Sequence, residues 1–258
     1  MKAGTAQLEI VADFAALAEA LADAVVAAGH EAVAARGRFD LVLSGGSTPK
    51  AAYALLASAP RRNALAWNRV RFFFGDERCV GPDDPRSNFR MAHEGLLGPL
   101  AIAPEQVARI RGEDQPPAAA AAYAIALRAA FARESESTAE GTPVADLVLL
   151  GMGPDGHTAS LFPGTDPRSG DDWIAKAIVP PWGVEPAVAR VTLTPRVLNA
   201  ARAVVIAAGG SEKAAVLSDV LRGPYDPVRR PIQIVAPTSG RLRWLVDRAA
   251  ASALEPLD

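Results

Sequence analysis

The chain has 258 residues, half of them hydrophobic, and a formal net charge of −2. This length suits one large domain or two small ones, and the apolar content is sufficient for a sizeable core. The balanced charge, with no basic block, argues against a nucleic-acid partner. No apolar run reaches the roughly 20 residues of a membrane span. A single cysteine, Cys79, excludes an internal disulfide and fits a reducing compartment.

The first ten residues lack the apolar core of a signal peptide, which favours a cytoplasmic protein with no membrane partner. Asp13 is expected to cap a long helix that runs to about residue 36 and relaxes near Gly29 and His30. A buried strand over 40–43 should follow. The next turn should lead into a helix over about 49–58, with Pro49 at its first position, where the missing N–H costs little.

The rest of the chain continues this alternation. Strands are expected over 70–74, 147–150, 188–193, 203–207 and 232–235, helices over 87–97, 117–133, 195–200 and 211–221, and an exposed linker over 134–142. Continuous apolar strands that alternate with helices are typical of a mostly parallel sheet with helices on both faces. No internal repeat is visible, so the sequence predicts one α/β domain spanning 1–258.

Four of the expected strands end in polar or glycine-rich turns, at 44–48, 75–78, 151–157 and 209–213. Open parallel sheets bind ligands outside the carboxyl ends of their strands. If the sheet is parallel, all four turns open on the same edge. Their convergence predicts a ligand site more strongly than any one of the motifs.

The first and last of these turns are suited to an anion. The first offers backbone N–H groups, two hydroxyls and a helix N-terminus, but it lacks the sequence of a nucleotide P-loop. The last places Lys213 in the first turn of a helix, where a lysine opposes the helix dipole unless an anion lies in front of it. A solvated surface lysine is the alternative. Together the two turns indicate a phosphorylated small molecule.

The turn over 75–78 places three charges directly after a buried strand. These residues could simply cap the sheet edge with ion pairs. In a functional interpretation, Arg78 would hold a carboxylate or polarise a carbonyl, and Asp76 would hold a sugar hydroxyl or assist proton transfer.

The turn over 151–157 carries Asp155 and His157, a carboxylate and an imidazole that together can move a proton at neutral pH. The other two histidines, His30 and His93, are expected to be structural. Because no histidines or cysteines have ligand spacing, no metal is expected.

Residues 151–156 also match G-x-G-x-x-G, with Asp171 about 20 residues further on, as in a dinucleotide site. That motif should open a full helix, whereas Pro163 and Gly164 interrupt the chain soon after His157. The glycines therefore more plausibly allow close approach of the backbone to a ligand.

Several separated motifs, taken together, resemble the 6-phosphogluconolactonases of the glucosamine-6-phosphate isomerase/6-phosphogluconolactonase family. They cover most of the chain in order and are LSGGSTP (43–49), FGDERCV (74–80), SNFRM (87–91), GMGPDGHTASLFPG (151–164), RVTLT (190–194) and GSEKA (210–214). The resemblance implies a Rossmann-like three-layer α/β/α fold. It also implies a carboxylic ester hydrolase that converts 6-phospho-D-glucono-1,5-lactone to 6-phosphogluconate in the pentose phosphate pathway, with no cofactor.

A mechanism follows as a hypothesis. His157 would act as general base on a water that attacks C1 and would pass the proton to the ring oxygen, with Asp155 supporting it and Arg78 stabilising the carbonyl oxygen. Asp76 completes the catalytic set. The expected substrate- and phosphate-binding residues are Ser44, Gly45, Gly46, Ser47, Thr48, Asn88, Gly153, Arg190 and Lys213. The only expected partner is the small sugar phosphate, with the chain as a monomer or small homo-oligomer.

Two alternatives come from the same family and fold. Glucosamine-6-phosphate deaminases resemble this chain in three turns, but they carry a glutamate where Phe162 stands here, and phenylalanine cannot transfer a proton. They also tend to carry tyrosine at the position of Arg78. A non-catalytic sugar-phosphate sensor would need an attached DNA-binding segment, and residues 1–36 show no basic helix face.

Overall fold

The computed structural model describes residues 6–132, 137–138, 140–166, 174–181 and 183–254. The strands are β1 (Gln7–Val11), β2 (Phe39–Leu43), β3 (Val70–Phe74), β4 (Asp76–Arg78), β5 (Leu147–Gly151), β6 (Ala175–Ile178), β7 (Arg190–Leu193), β8 (Ala203–Ala208) and β9 (Arg241–Asp247). The α-helices are α1 (Phe14–Arg36), α2 (Ser47–Leu56), α3 (Asn88–Ala92), α4 (Pro116–Ala130), α5 (Pro195–Ala200) and α6 (Ala214–Arg222). Among the described helices, none combines the length and apolar character needed to cross a bilayer.

The main sheet has six parallel strands in the order β1–β9–β8–β5–β2–β3. Every residue of β2 and all but the last of β5 are buried, as expected for strands covered on both faces. The prediction of an α/β fold built on a mostly parallel sheet is confirmed. The predicted strands at 40–43, 70–74, 147–150 and 203–207 are all present in this sheet.

A second sheet of three antiparallel strands, β4–β7–β6, lies beyond the end of β3. The chain passes from one sheet to the other at Gly75, whose N–H donates to Leu43 O at 2.9 Å and whose carbonyl accepts from Leu193 N–H at 2.8 Å. The predicted strand over 188–193 therefore exists, as β7, but it belongs to this sheet. The expected turn over 75–78 is likewise a short strand, because its backbone pairs with β7.

Helix α1 begins where the sequence predicted, because the Asp13 carboxylate accepts the Ala16 N–H at 2.9 Å and caps the first turn. It ends at Gly37, which adopts a left-handed conformation with φ 75°. The expected relaxation near Gly29 and His30 is wrong. A side chain at Gly29 would overlap Leu65, so this glycine makes room for packing while the helix continues.

Helix α2 begins two residues earlier than expected. Gly46, with φ 107°, precedes the helix, and Ser47 is its first residue. Pro49 is therefore the third helical residue, and the prediction that it is the first is wrong. The position is still compatible with proline, because the first four N–H groups of a helix have no intrahelical acceptor.

The carboxyl-terminal part contains the largest errors of prediction. Residues 232–235, expected to be a strand, lie mostly in a 3-10 helix, Pro231–Ile234, and the last strand is β9.

Other elements also differ from the prediction, and strand β1 was missed. The helix expected over 211–221 is a 3-10 turn, Ser211–Lys213, followed by α6, and that over 87–97 is α3 followed by a π-helical turn, His93–Leu97. Of the expected linker over 134–142, residues 134–136 and 139 lie outside the described residues.

Candidate functional site

A cleft of about 180 Å³ opens at the carboxyl ends of the parallel strands. The strand order reverses between β2 and β5, and open α/β sheets bind ligands at such switch points. Turns that follow β2, β5 and β8 meet β4 and β7 here, as the convergence argument expected. The predicted residues that line the cleft are Ser44, Gly45, Gly46, Ser47, Thr48, Asp76, Arg78, Asn88, Gly153, His157, Arg190 and Lys213.

Asp155, the remaining predicted residue, lies behind the imidazole of His157. The Nδ1 atom of His157 is 2.6 Å from Asp155 Oδ1, and the same oxygen accepts the His157 backbone N–H at 3.0 Å. An ionised carboxylate can only accept, so Nδ1 carries the proton and Nε2 keeps its lone pair. Burial of Asp155 opposes its ionisation, but the hydrogen bonds from the His157 ring and backbone, and the charge of the ring when it is protonated, outweigh burial and lower the pKa of the carboxyl. The pair can accept a proton from water at Nε2.

The backbone of the turn over 151–157 is shaped around this imidazole. Gly153 N–H donates to His157 O at 2.9 Å, and a side chain at Gly153 would overlap the His157 ring. Gly156 has φ 86°, a conformation that favours glycine. No helix opens in the described residues that follow, up to 166, which is incompatible with a dinucleotide motif. Asp171, the acidic residue of that alternative, lies outside the described residues.

The turn between β2 and α2 presents the N-terminus of a ten-residue helix to the cleft. Its first-turn N–H groups have no intrahelical acceptor and are available to an anion. The turn is held from below by Tyr53, a buried residue of α2. The Tyr53 hydroxyl accepts the Ser44 N–H at 3.0 Å and donates to the Ser44 carbonyl at 2.9 Å. Burial raises the pKa of Tyr53, which keeps the hydroxyl protonated as a donor.

Asp76 is a buried carboxylate at the wall of the cleft, and both of its oxygens have partners. Asn88 Nδ2 donates to Oδ1 at 3.2 Å and to the Asp76 carbonyl at 3.0 Å, while the Ser160 hydroxyl donates to Oδ2 at 2.7 Å. Asn88 also packs against Gly45, where any side chain would overlap it. These contacts fix Asp76 and Asn88 relative to the turn between β2 and α2.

Arg78 and Arg190 face each other across β4 and β7 as register partners. Within the described residues, neither forms an ion pair with a carboxylate. Arg78 donates to Arg86 O at 2.7 Å, and Arg190 donates to Pro186 O at 3.1 Å. The Nε atoms of both are buried without an acceptor. Burial lowers the pKa of Arg190, and the charge of Arg78 lowers it further. Like charges directly opposite each other on a sheet are destabilising. An anion bound by both guanidinium groups would turn this repulsion into a net attraction.

Lys213 ends the 3-10 turn after β8 and is half-buried at the edge of the cleft. The nearby Asp247 is already engaged, because its carboxylate accepts the N–H groups of Gly210 at 3.0 Å and Ala250 at 2.7 Å. Burial lowers the pKa of Lys213, partly opposed by the charges of Glu212 and Asp247. A third cation therefore lines the same cleft without a carboxylate partner among the described residues.

Sequence reasoning missed the supports of this site. Glu77 is buried and accepts the N–H groups of Asn88 and Phe89, both at 2.7 Å, so it anchors the start of α3. Burial raises the pKa of Glu77, and its hydrogen bonds oppose that shift. Ser160 and Tyr53 have no pattern that separates them from ordinary core residues, so nothing in the sequence pointed to them. No group of three or more His, Cys, Asp or Glu side chains in the described part of the chain is placed to hold a metal ion.

Comparison with known proteins identifies the family of this chain. The family model described as glucosamine-6-phosphate isomerases/6-phosphogluconolactonase matches residues 12–244. The chain belongs to this family. Within the family, a 6-phosphogluconolactonase of Treponema pallidum is 41% identical over 193 residues, which cover 73% of this chain and 74% of the relative. One from Nostoc sp. is 35% identical over 249 residues, covering 96% and 98%.

Solved structures of the family have the same fold. The structure of a 6-phosphogluconolactonase from Trypanosoma cruzi has a TM-score of 0.85 and 30% identity, and the match covers 98% of each chain. A monomeric glucosamine-6-phosphate deaminase has a TM-score of 0.78 at 18% identity, a likeness of fold alone.

Proposed function

We propose that this chain hydrolyses 6-phospho-D-glucono-1,5-lactone to 6-phosphogluconate in the oxidative pentose phosphate pathway. The observation that carries the proposal is the coexistence, in one cleft, of the His157–Asp155 pair and three cations without carboxylate partners among the described residues. The cations suit a phosphate, and the imidazole suits activation of water. Relatives that match nearly the whole chain carry the name of this activity.

In the proposed first step, His157 Nε2 removes a proton from water as the water oxygen bonds to C1 of the lactone. The carbonyl oxygen becomes an oxyanion, which Arg78 stabilises. Asp155 keeps the proton on Nδ1 and balances the charge of the imidazolium. Because these groups are held before the substrate arrives, little reorganisation is needed during the reaction.

In the second step, the tetrahedral intermediate collapses and the bond from C1 to the ring oxygen breaks. The imidazolium returns its proton from Nε2 to that oxygen, which becomes the C5 hydroxyl of the open chain. The product is the free acid, which ionises in water. No net proton is held by the enzyme, and no cofactor enters the scheme.

We place the 6-phosphate against the N-terminus of α2, Lys213 and Arg190. This assignment is supported by the burial of Arg190, whose Nε has no acceptor and which forms no ion pair among the described residues. Asp76, held by Asn88 and Ser160, is available to a sugar hydroxyl. The phosphate and the lactone carbonyl would then lie on opposite sides of the Arg78–Arg190 pair.

The test is hydrolysis of freshly generated 6-phosphogluconolactone, with spontaneous hydrolysis subtracted. We expect His157→Ala to lower kcat by about two to four orders of magnitude, because general-base catalysis is worth that much. His93→Ala is the matched control, since His93 is exposed outside the cleft, and it should keep kcat. Near-normal turnover by His157→Ala would contradict the mechanism.

The same assay addresses the alternatives. Binding of 6-phosphogluconate without turnover by the wild type would indicate a sugar-phosphate sensor. Deamination of glucosamine 6-phosphate would indicate the other activity of the family. Phe162 argues against that activity, because it is buried where the deaminases carry their glutamate and has no proton to transfer.

We also propose that residues 1–258 act as one domain, located in the cytoplasm, as a monomer or small homo-oligomer. One continuous cluster of buried hydrophobic residues joins both sheets, which supports a single domain. Size-exclusion chromatography with light scattering would measure the oligomeric state, and a single cooperative unfolding transition would support one domain.

A further inference from the structure

We propose that Phe162 is a positioning residue that holds the catalytic imidazole and the phosphate-binding guanidinium in register through one aromatic ring. The inference rests on the proposed function, because it assigns roles to His157 and Arg190 in the same cleft. It adds a residue to which neither charge nor hydrogen bonding draws attention.

The ring of Phe162 contacts both groups from the protein side. Its centroid is 5.1 Å from that of the His157 ring at an interplanar angle of 46°, and Arg190 Cζ is 5.6 Å from the Phe162 centroid. Phe162 is only 1% exposed and does not line the cleft. It therefore acts on the substrate through its two neighbours and not by touching it.

The backbone around Phe162 is fixed well enough to make the ring a rigid support. Residues 158–161 form a tight turn in which Leu161 N–H donates to Thr158 O at 2.9 Å and Ala159 has φ 47°, a sparsely populated conformation for alanine. After the turn, the Thr165 hydroxyl donates to the Phe162 carbonyl at 2.8 Å. Ser160 ties the same segment to Asp76. The strained turn brings Phe162 back beneath His157.

Arg190 has a specific need for such a support. It is 3% exposed, it lies opposite Arg78, and its Nε has no acceptor. An aromatic face attracts a guanidinium, and the attraction is strongest where water is excluded. Phe162 therefore supplies part of the stabilisation that a carboxylate would otherwise give, without neutralising the charge that the phosphate needs.

His157 needs a second contact for a different reason. The bond to Asp155 fixes Nδ1, but the imidazole can still pivot about that bond unless its face is also packed. Gly153 lies against one part of the ring, and Phe162 supplies an aromatic surface at another. Displacement of a reacting group by about 1 Å can cost on the order of 10²-fold in rate. Losing this contact should therefore lower kcat.

The experiment replaces Phe162 with leucine, which keeps an apolar side chain of similar volume and removes the ring. Phe131→Leu is a closely matched control. Phe131 is also buried, stacks on Phe73 at 5.0 Å and 42°, and lies 5.1 Å from Arg71 Cζ, so it makes the same two kinds of contact outside the cleft. The measurements are kcat and KM for the lactone, the Kd for inorganic phosphate by calorimetry, and the midpoint of urea unfolding.

We expect Phe162→Leu to lower kcat about tenfold and to weaken inorganic phosphate binding about threefold to thirtyfold. Phe131→Leu should lower the unfolding midpoint to a similar extent but leave kcat, KM and phosphate Kd within about twofold of wild type. Phe162→Met, whose flexible side chain fills irregular space, provides a second variant if the leucine variant does not fold. It should show the same losses.

The positioning role is wrong if a folded Phe162 variant keeps kcat, KM and phosphate Kd near the wild-type values. It is also wrong if Phe131→Leu alters them as much as Phe162→Leu does, because the ring would then serve stability alone. Either result leaves the lactonase activity of the wild type intact. A wild-type protein that hydrolyses no lactone would instead remove the proposed function, and the phosphate Kd would still report whether the ring supports Arg190.

Discussion

Two cross-strand pairs, at opposite ends of the sheets, differ in their charges: one joins opposite charges, and the other places like charges side by side. Asp40 and Arg71 are register partners in β2 and β3, and they form a two-point ion pair at 2.6 and 2.9 Å. Arg78 and Arg190 are register partners in β4 and β7, and both are cations. The first pair is neutral as a whole, whereas the second carries two positive charges, for which we propose an anionic ligand.

The amino-terminal end of the sheet follows the first pattern throughout. Asp146, which directly precedes β5, accepts Arg36 Nε at 2.8 Å and the Asp40 N–H at 2.8 Å. Burial raises the pKa of Asp146, and these partners oppose the shift. At the carboxyl-terminal end, Lys213 extends the second pattern. Among the described residues, the two ends of the sheets differ not in whether they contain arginines but in whether those arginines form ion pairs with carboxylates.

Among the variants that test this comparison, the largest effect should come from removing one cation of the like-charged pair. We expect Arg190→Met to lower kcat/KM by about 10²- to 10³-fold, because truncating one partner of a buried charge pair with phosphate costs several kcal/mol. The free energy of unfolding should stay the same or increase, since repulsion from Arg78 is removed. Steady-state kinetics and urea unfolding measure the two quantities. A marked loss of stability with normal kinetics would show that Arg190 serves the fold and not ligand binding.

Arg71→Met tests the balanced pair and should behave in the opposite way. Removing this guanidinium leaves Asp40 buried, with Arg38 at 3.2 Å as its one remaining ion-pair partner among the described residues. We expect the free energy of unfolding to fall by about 3 kcal/mol. The values of kcat and KM, measured well below the unfolding transition, should be unchanged. If KM rose as it does in Arg190→Met, the two ends of the sheet would not be independent.

Activity should also be sensitive to steric changes in the cleft at the carboxyl ends of the strands. A side chain at Gly153 would overlap the His157 ring, so we expect Gly153→Ala to lower kcat by about 10- to 100-fold. Gly81→Ala is the control, because a side chain there meets nothing within 4 Å. Kinetics of the two variants, with circular dichroism to verify folding, make the measurement. Equal kinetics would show that the imidazole needs no fixed position.

The smallest effect concerns pH. The pKa of Lys213 is lowered from 10.5 by burial, so folding disfavours its protonated form, and the penalty disappears as pH rises above the folded-state pKa. Bound phosphate has the opposite preference and favours the charged lysine. Phosphate affinity should therefore fall by about threefold or more as pH rises from neutral toward 10.5, the ordinary pKa of lysine. Calorimetry should find this slope in the wild type and not in Lys213→Arg, which stays charged.

Much of the cleft at the carboxyl ends of the strands could be predicted from the sequence, because short local patterns identify these strands and the turns that follow them. Apolar runs such as 147–150 followed by glycine turns identify central parallel strands, and parallel strands share one edge. The prediction placed Ser44, Arg78, His157 and Lys213 together for this reason, and the cleft includes all four. The roles assigned to them remain predictions.

The errors arose where partners distant in sequence decide the structure. In β9, arginines alternate with apolar residues only over 241–244. The strand is stabilised by β8, β1 and contacts such as Arg243 to Glu9, none of which a local window contains. The run over 232–235 is short and apolar, and such a run does not distinguish a strand from a helical turn. Likewise, the passage of the chain into a second sheet depends on Gly75 bonding to Leu43 and Leu193.

The two hydrogen bonds between Tyr53 and the backbone of Ser44 bear on the order in which the cleft forms during folding. The two residues are nine positions apart, whereas Tyr123, which makes the same pair of bonds to Phe74, is 49 positions away from it. Closing the shorter loop costs about 1.5 kcal/mol less chain entropy. The turn between β2 and α2 needs only these two neighbouring elements for its hydrogen bonds, so we expect it to form early in folding. The arginines and the imidazole come from segments more distant in sequence, and we expect them to reach this turn later.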